Sequence, residues 1–177
     1  MGVKVVPFIS EEKIREKVEQ LSREISSDYE GKTLHVVGIL KGAWMFMADL
    51  IRQLAIPVTT DFITVASYGS GTETSGEVAL ISDLRGSIEG KDVLLVEDIV
   101  DTGLSLQFLL NILSQRRPES LRTCALLDKP DRHRVEVQID YLGFTVPDRF
   151  VVGYGIDYDE QFRNLPYVGF IEFDEEK

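Results

Sequence analysis

Four consecutive apolar residues, Val93-Leu94-Leu95-Val96, run directly into two carboxylates, Glu97 and Asp98. A strand with water on one face alternates apolar and polar residues, whereas an unbroken apolar run suits a parallel strand covered on both faces. Covering both faces takes helices, so the chain should alternate the two element types. The surrounding sequence agrees. Ser10 precedes Glu11 and Glu12, and Ile14, Val18, Leu21 and Ile25 then recur at the spacing of one helical face. Ser10 is a suitable cap, and the two glutamates favour the positive end of the helix dipole. Leu34–Leu40 is a second apolar run. Trp44, Met47, Ala48, Ile51, Leu54 and Ala55 follow at helical spacing, and Pro57 is expected to end that helix. Val58–Tyr68 reads as a long strand with differing faces, and 78–81 as another. Leu106, Leu109, Leu110 and Leu113 restore the helical period up to Pro118, with strands expected over 121–127, 137–142, 150–153 and 167–173. The fold expected is α/β, an open and mainly parallel sheet with right-handed crossovers.

A length of 177 residues suits a single domain with one core of ordinary size. The 19 basic and 30 acidic residues leave a net charge of −11, a field that repels nucleic acid and anionic membrane. The single cysteine, Cys124, excludes an internal disulfide and a cysteine-based zinc site, and it suits a reducing cytosol. No leader is evident over residues 1–10, and no window reaches the roughly 20 apolar residues of a membrane span. A cytoplasmic location is expected, without nucleic-acid or membrane partners. Residues 69–76 read GSGTETSG, which can bury almost nothing, so a mobile loop is expected there, of the kind that closes over substrates.

In open α/β sheets ligands bind beyond the carboxyl ends of the strands, which directs the search to the residues after each apolar run. One junction stands out. Glu97-Asp98-Ile99-Val100-Asp101-Thr102-Gly103-Leu104-Ser105 passes from strand to paired carboxylates and then to a short polar turn opening a helix. Free amides at the helix start, with the Thr102 and Ser105 hydroxyls and a glycine that admits close approach, would hold a phosphate. The three carboxylates would repel that anion unless they serve ribose hydroxyls or a magnesium ion, and a sugar phosphate satisfies both halves. The plainer alternative is that Asp101 or Thr102 merely caps the helix. No Walker A sequence occurs, and Gly69 and Gly71 lack the dinucleotide-binding spacing.

The string VLLVEDIVDTG resembles the phosphoribosyl diphosphate signature of phosphoribosyltransferases. With LKGAWMF, SYGSGTETSGEV, LLDKPDRHR and FVVGYGIDYDEQFRNLPYVG, the chain resembles the hypoxanthine-guanine phosphoribosyltransferase family over almost its whole length. The resemblance implies the phosphoribosyltransferase fold, an open twisted sheet flanked by helices with a small hood of terminal segments. It implies transfer of a 5-phosphoribosyl group from phosphoribosyl diphosphate to hypoxanthine or guanine, with Mg2+ as cofactor and a homodimer or homotetramer as the assembly. Glu97 and Asp98 would contact ribose hydroxyls, and Asp101, Thr102, Gly103, Leu104 and Ser105 would hold the 5-phosphate. Asp101 would also manage a proton at the imidazole ring of the purine.

Leu40, Lys41 and Gly42 resemble the family's pyrophosphate loop, with a cis peptide expected between Leu40 and Lys41, and Arg163 resembles its pyrophosphate clamp. Lys129 resembles the lysine that donates to the six-position oxygen of the base. Phe150 would stack on the base, the Val151 backbone would bond its edge, and Asp157 would stand between base and metal. Glu97, Asp98 and Asp157 form the implied metal set, and Ser67 and Tyr68 the foot of the lid. Two relatives in chemistry remain open: a xanthine-preferring transferase, and a nucleotide-sensing RNA-binding regulator of the same fold, which the acidic charge disfavours.

Overall fold

The computed structural model describes residues 3–68 and 77–173. Six strands form one sheet, in the spatial order β4-β3-β2-β5-β6-β7: β2 (Leu34–Leu40), β3 (Val58–Tyr68), β4 (Glu77–Ser82), β5 (Asp92–Val100), β6 (Ser120–Asp128) and β7 (Tyr141–Thr145). Neighbours pair in parallel except β4, which runs antiparallel to β3 at the edge. The strand alternation divides the core cleanly. Leu34, Val36, Leu94 and Val96 face α1 (Glu11–Asp28) and α2 (Trp44–Ile51), while Val37, Ile39, Val93 and Leu95 face α3 (Leu104–Ser114). Both central strands are therefore covered on both sides, as their unbroken apolar runs require.

The cap of α1 is as expected, the Ser10 hydroxyl accepting from the Lys13 amide at 3.3 Å. Several boundaries differ from the sequence reading. Helix α2 stops at Ile51 rather than near Pro57. The Gln53 amide donates to the Leu50 carbonyl in a tighter turn, and Leu54 still packs on the core without being helical. Helix α3 ends at Ser114, because the chain turns through Arg117 in the left-handed region (φ 56°) before Pro118 is reached. The strand expected over 137–142 begins only at Tyr141. The Asp140 carboxylate accepts from the Thr123 amide at 2.8 Å, taking the place a ladder carbonyl would have, so pairing starts at Cys124 and Tyr141.

A second, three-stranded antiparallel sheet, β1-β9-β8, makes the hood. Strand β1 (Val3–Ile9), which the sequence reading had not assigned, pairs with β9 (Val168–Phe173), and β9 pairs with the two-residue β8 (Val151–Val152). Among the described residues no helix is long and apolar enough to cross a membrane.

One buried titratable group links this scaffold to pH. His35 on β2 is 6 % exposed and its Nδ1 lies 2.7 Å from Thr59 Oγ1. Burial, and secondarily the charge of Lys91, lowers its pKa below the ordinary 6.5. The unfolded chain therefore binds the proton first, so this contribution to stability is complete above about pH 6.5 and is lost as pH falls below it. Urea denaturation at pH 7.5 and 5.5 should show a smaller loss of midpoint for His35→Gln than for the unsubstituted protein. Equal losses would remove His35 from the acid response.

Candidate active site

The site begins where β5 ends. The strand continues through Ile99 and Val100, so Glu97 and Asp98 lie within the parallel ladder and not beyond it, with Glu97 opposite Ala125. β-branched residues after the acidic pair favour this extension. Asp101, Thr102 and Gly103 then form the turn into α3. Gly103 is the N-cap residue with φ 80°, a backbone state that few other residues enter, and its Cα faces Val135 and Val137 closely. Asp101 does not cap the helix. Thr102 Oγ1 accepts weakly from the Leu104 amide at 3.4 Å, and the N-cap residue itself supplies no side-chain cap. A cavity of about 190 Å3 opens here, lined by Leu40, Glu97, Asp101, Thr102, Gly103 and Ser105 among others.

Glu97 is buried in the wall of that cavity, and its pKa is raised well above the usual carboxylate range by burial first and by the adjacent Asp98 charge second. Burial and the Asp98 charge both act against ionisation of Glu97, so it repels a phosphate less than an exposed carboxylate would. The apparent conflict between an anion cradle and three neighbouring acids is reduced accordingly.

Asp98 reaches the next strand end. The Leu40–Lys41 peptide is cis, as the family resemblance implied, and Gly42 follows it. A Cβ on Gly42 would lie 1.7 Å from Asp98 Oδ2. The Gly42 carbonyl in turn meets Gly155, where a Cβ would come within 2.1 Å. This stack ties the turn after β2 to residues 155–163. Lys41 pairs with Glu160 at 2.8 Å, both largely exposed. Arg163 donates to the Gly155 carbonyl at 2.8 Å and pairs with Asp157 at 2.8 Å, and its buried Nε has no partner among the described residues. Two cations thus flank one loop, each held by a carboxylate that an incoming oxyanion could replace. Gly155 has φ 99°, so Gly155→Ala meets both backbone strain and the Gly42 carbonyl. We expect that variant to raise the donor KM at least about tenfold, since displacement of a positioning loop by an ångström is enough for such a loss. An unchanged KM would show that the stacked turn does not serve the donor.

The third part lies at the end of β6. A cavity of about 340 Å3 is lined by Asp101, Lys129, Arg132, Asp148 and Phe150, with Phe173 at its rim. Lys129 is only 7 % exposed, and its ammonium forms no hydrogen bond or ion pair with a described residue. Burial lowers its pKa, an effect that Asp101 and Asp148 oppose. Phe150 is 53 % exposed, which makes it available as a stacking surface, and its ring meets Tyr158 edge-on at 6.0 Å. Val151 is different. Its side chain is buried in the core, which leaves only its backbone for a ligand. Asp157 lies outside the lining of this cavity, since its carboxylate accepts from Arg163 and from the Glu160 amide at 2.8 Å. Ser67 and Tyr68 end β3, and the expected lid at 69–76 lies outside the described residues.

Two participants had no assigned role from the sequence. Arg132 Nε donates to Asp101 Oδ1 at 2.8 Å and lies 3.6 Å from Asp148 Oδ1. Arg132 stands within LLDKPDRHR, but its pairing with residues 31 and 16 positions away leaves no local pattern.

Asp101 lines both the cradle and the Lys129 cavity, so the two spaces meet at one carboxylate. A family model described as a phosphoribosyl transferase domain matches residues 10–159. The hypoxanthine-guanine phosphoribosyltransferase of Bacillus subtilis is 47% identical over 165 residues, covering 93% of this chain and 92% of that protein. The chain belongs to the hypoxanthine-guanine phosphoribosyltransferase family. A crystal structure of a family member from Bacillus anthracis superposes with a TM-score of 0.90 at 44% identity, over 97% of this chain and 100% of that one. The bifunctional protein TilS/HprT of Listeria monocytogenes is 49% identical over 165 residues, but the chain spans only 26% of its length. The hood, the parallel sheet and the cis turn are thus set in a phosphoribosyltransferase fold.

Proposed function

We propose that the chain transfers a 5-phosphoribosyl group from phosphoribosyl diphosphate to hypoxanthine or guanine, releasing pyrophosphate. The observation that carries this reading is the position of Asp101 between an anion cradle and a cavity walled by a buried lysine. In this reading the 5-phosphate binds the amides and hydroxyls from Thr102 to Ser105, and Glu97 and Asp98 address the ribose hydroxyls. The base enters between Phe150 and Lys129, whose ammonium donates to its six-position oxygen. Asp101 accepts the proton of the imidazole N–H as the new C–N bond forms, and its charge stabilises the oxocarbenium-like sugar in the transition state. Lys41 and Arg163 exchange Glu160 and Asp157 for the departing pyrophosphate. The Lys41–Glu160 pair is exposed and contributes little, so its exchange is inexpensive, whereas the Arg163–Asp157 pair is largely buried and its exchange needs the charge of the pyrophosphate to offset it.

Magnesium fits this donor set as an ion carried mainly by substrate oxygens. Among the described residues no group of three or more His, Cys, Asp or Glu could hold a metal, and both Asp157 oxygens already accept bonds from Arg163 and Glu160. Asp98 and Asp157 would therefore reach it largely through water. When bound it neutralises charge on the pyrophosphate and so improves the leaving group. A homodimer or homotetramer and a cytoplasmic setting belong to the same proposal.

Turnover should be measured with the donor, magnesium and each of hypoxanthine, guanine, xanthine and adenine. Hypoxanthine and guanine should yield nucleotide and pyrophosphate, and chelation should abolish both reactions. Preferred turnover of adenine or xanthine would refute the assignment of the base.

A further inference from the structure

We infer that Arg132 is a positioning residue for Asp101, fixing which carboxylate oxygen faces the base. This deepens the phosphoribosyl-transfer reading and rests on it. Arg132 closes a short 3-10 turn, Pro130–Arg132, directly after Lys129, and its amide donates to the Lys129 carbonyl at 2.9 Å. Two residues later the Arg134 amide donates to the Thr102 carbonyl at 3.0 Å. The segment that carries the base-reading lysine is thereby joined to the phosphate turn by a backbone bond and by the Arg132–Asp101 pair.

Arg132 Nε takes Asp101 Oδ1, whereas Oδ2 has no hydrogen bond to a described residue. Asp148 Oδ1 lies 3.6 Å from the same Nε, a second carboxylate that holds the guanidinium in this corner. The Arg132 guanidinium is charged at any working pH, so the donor to Asp101 is always present. Without that contact, a side chain 42 % exposed would sample several rotamers, and only some would place an oxygen within bonding reach of a purine N–H. When Oδ2 accepts the proton the carboxyl becomes neutral and its hold on Arg132 weakens. Asp148 then keeps the arginine paired. A partly exposed ion pair adds little to folding, so the expected effect falls on turnover.

A double-mutant cycle tests this, read by kcat with hypoxanthine and by donor affinity from calorimetry with magnesium. Arg132→Gln should lower kcat by about 10- to 100-fold, yet by less than about threefold in an Asp101→Asn background, because coupled residues are non-additive. Donor affinity should stay within about threefold, as expected for a group acting in the transition state. Arg132→Lys, which keeps the charge but loses the planar fork, should recover part of the rate, and it replaces Arg132→Gln in the cycle should the latter fail to fold. Losses that multiply, or a parallel loss of donor affinity, would overturn the positioning role alone. Absence of turnover in the unsubstituted protein would overturn the transfer reading as well.

Discussion

Replacing Asp101 by Asn should lower kcat by about 100- to 10,000-fold, the range of a positioned acid or base, with donor affinity nearly unchanged. The amide retains the size of the side chain and an acceptor oxygen, but it can neither take a proton nor carry charge. The loss therefore falls on the step in which both sugar and base become positive, and ground-state binding is spared. Geometry is expected to persist, since Asp101 does not cap α3 and the turn is secured by Gly103 and by the Arg134–Thr102 bond. Steady-state kinetics together with calorimetric titration of the donor separates the two effects. A variant with full kcat would remove Asp101 from the chemistry.

The second large effect concerns the choice of base. Lys129→Gln should reduce discrimination between hypoxanthine and adenine about 100-fold. A buried ammonium only donates, so it matches an oxo group and leaves the amino group of adenine facing another donor, a mismatch on the order of 1.5–3 kcal/mol for a charged partner. An amide can turn either its oxygen or its nitrogen to the base, and the penalty against adenine disappears. The low exposure of Lys129 and its lack of a hydrogen bond to a described residue make the mismatch costly, because water does not readily relieve it. The ratio of kcat/KM for the two bases reports this directly. Retained preference would place base selection elsewhere, with Phe150 or Asp148 next to be substituted.

Much of this site could be read before any fold was known. Val93 to Val96 is apolar on both faces, which implied a covered parallel strand, and the search for ligands at strand ends then led to Asp101 and Lys41, while Lys129 came from the resemblance of LLDKPDRHR to the family. Those residues follow β5, β2 and β6, and the sheet order places these strands side by side. Local pattern was weaker where a side chain replaced a backbone bond, as when Asp140 took the Thr123 amide and delayed β7. It was silent on Arg132 and Asp148. Arg132 meets both Asp101 and Asp148 and so joins three loops, and nothing in the spacing of an arginine and two aspartates indicates which of the chain's many charges will meet. Adjacent in sequence, Glu97 and Asp98 also give no sign of their different surroundings: one is buried in the cradle with a raised pKa, while the other lies against Gly42. Strand β1 escaped notice because only Ile9 of Val3 to Ile9 is buried and the strand gains its partner from the far end of the chain.

The most direct measurement is a crystal structure of the protein with phosphoribosyl diphosphate, magnesium and a nonreactive oxo-purine analogue. The 5-phosphate should rest on Thr102 to Ser105, the purine should lie between Phe150 and Lys129, and Asp101 should stand between the sugar and the imidazole ring. Density for either substrate away from those residues, or a purine edge that Lys129 does not reach, would contradict the central assignment.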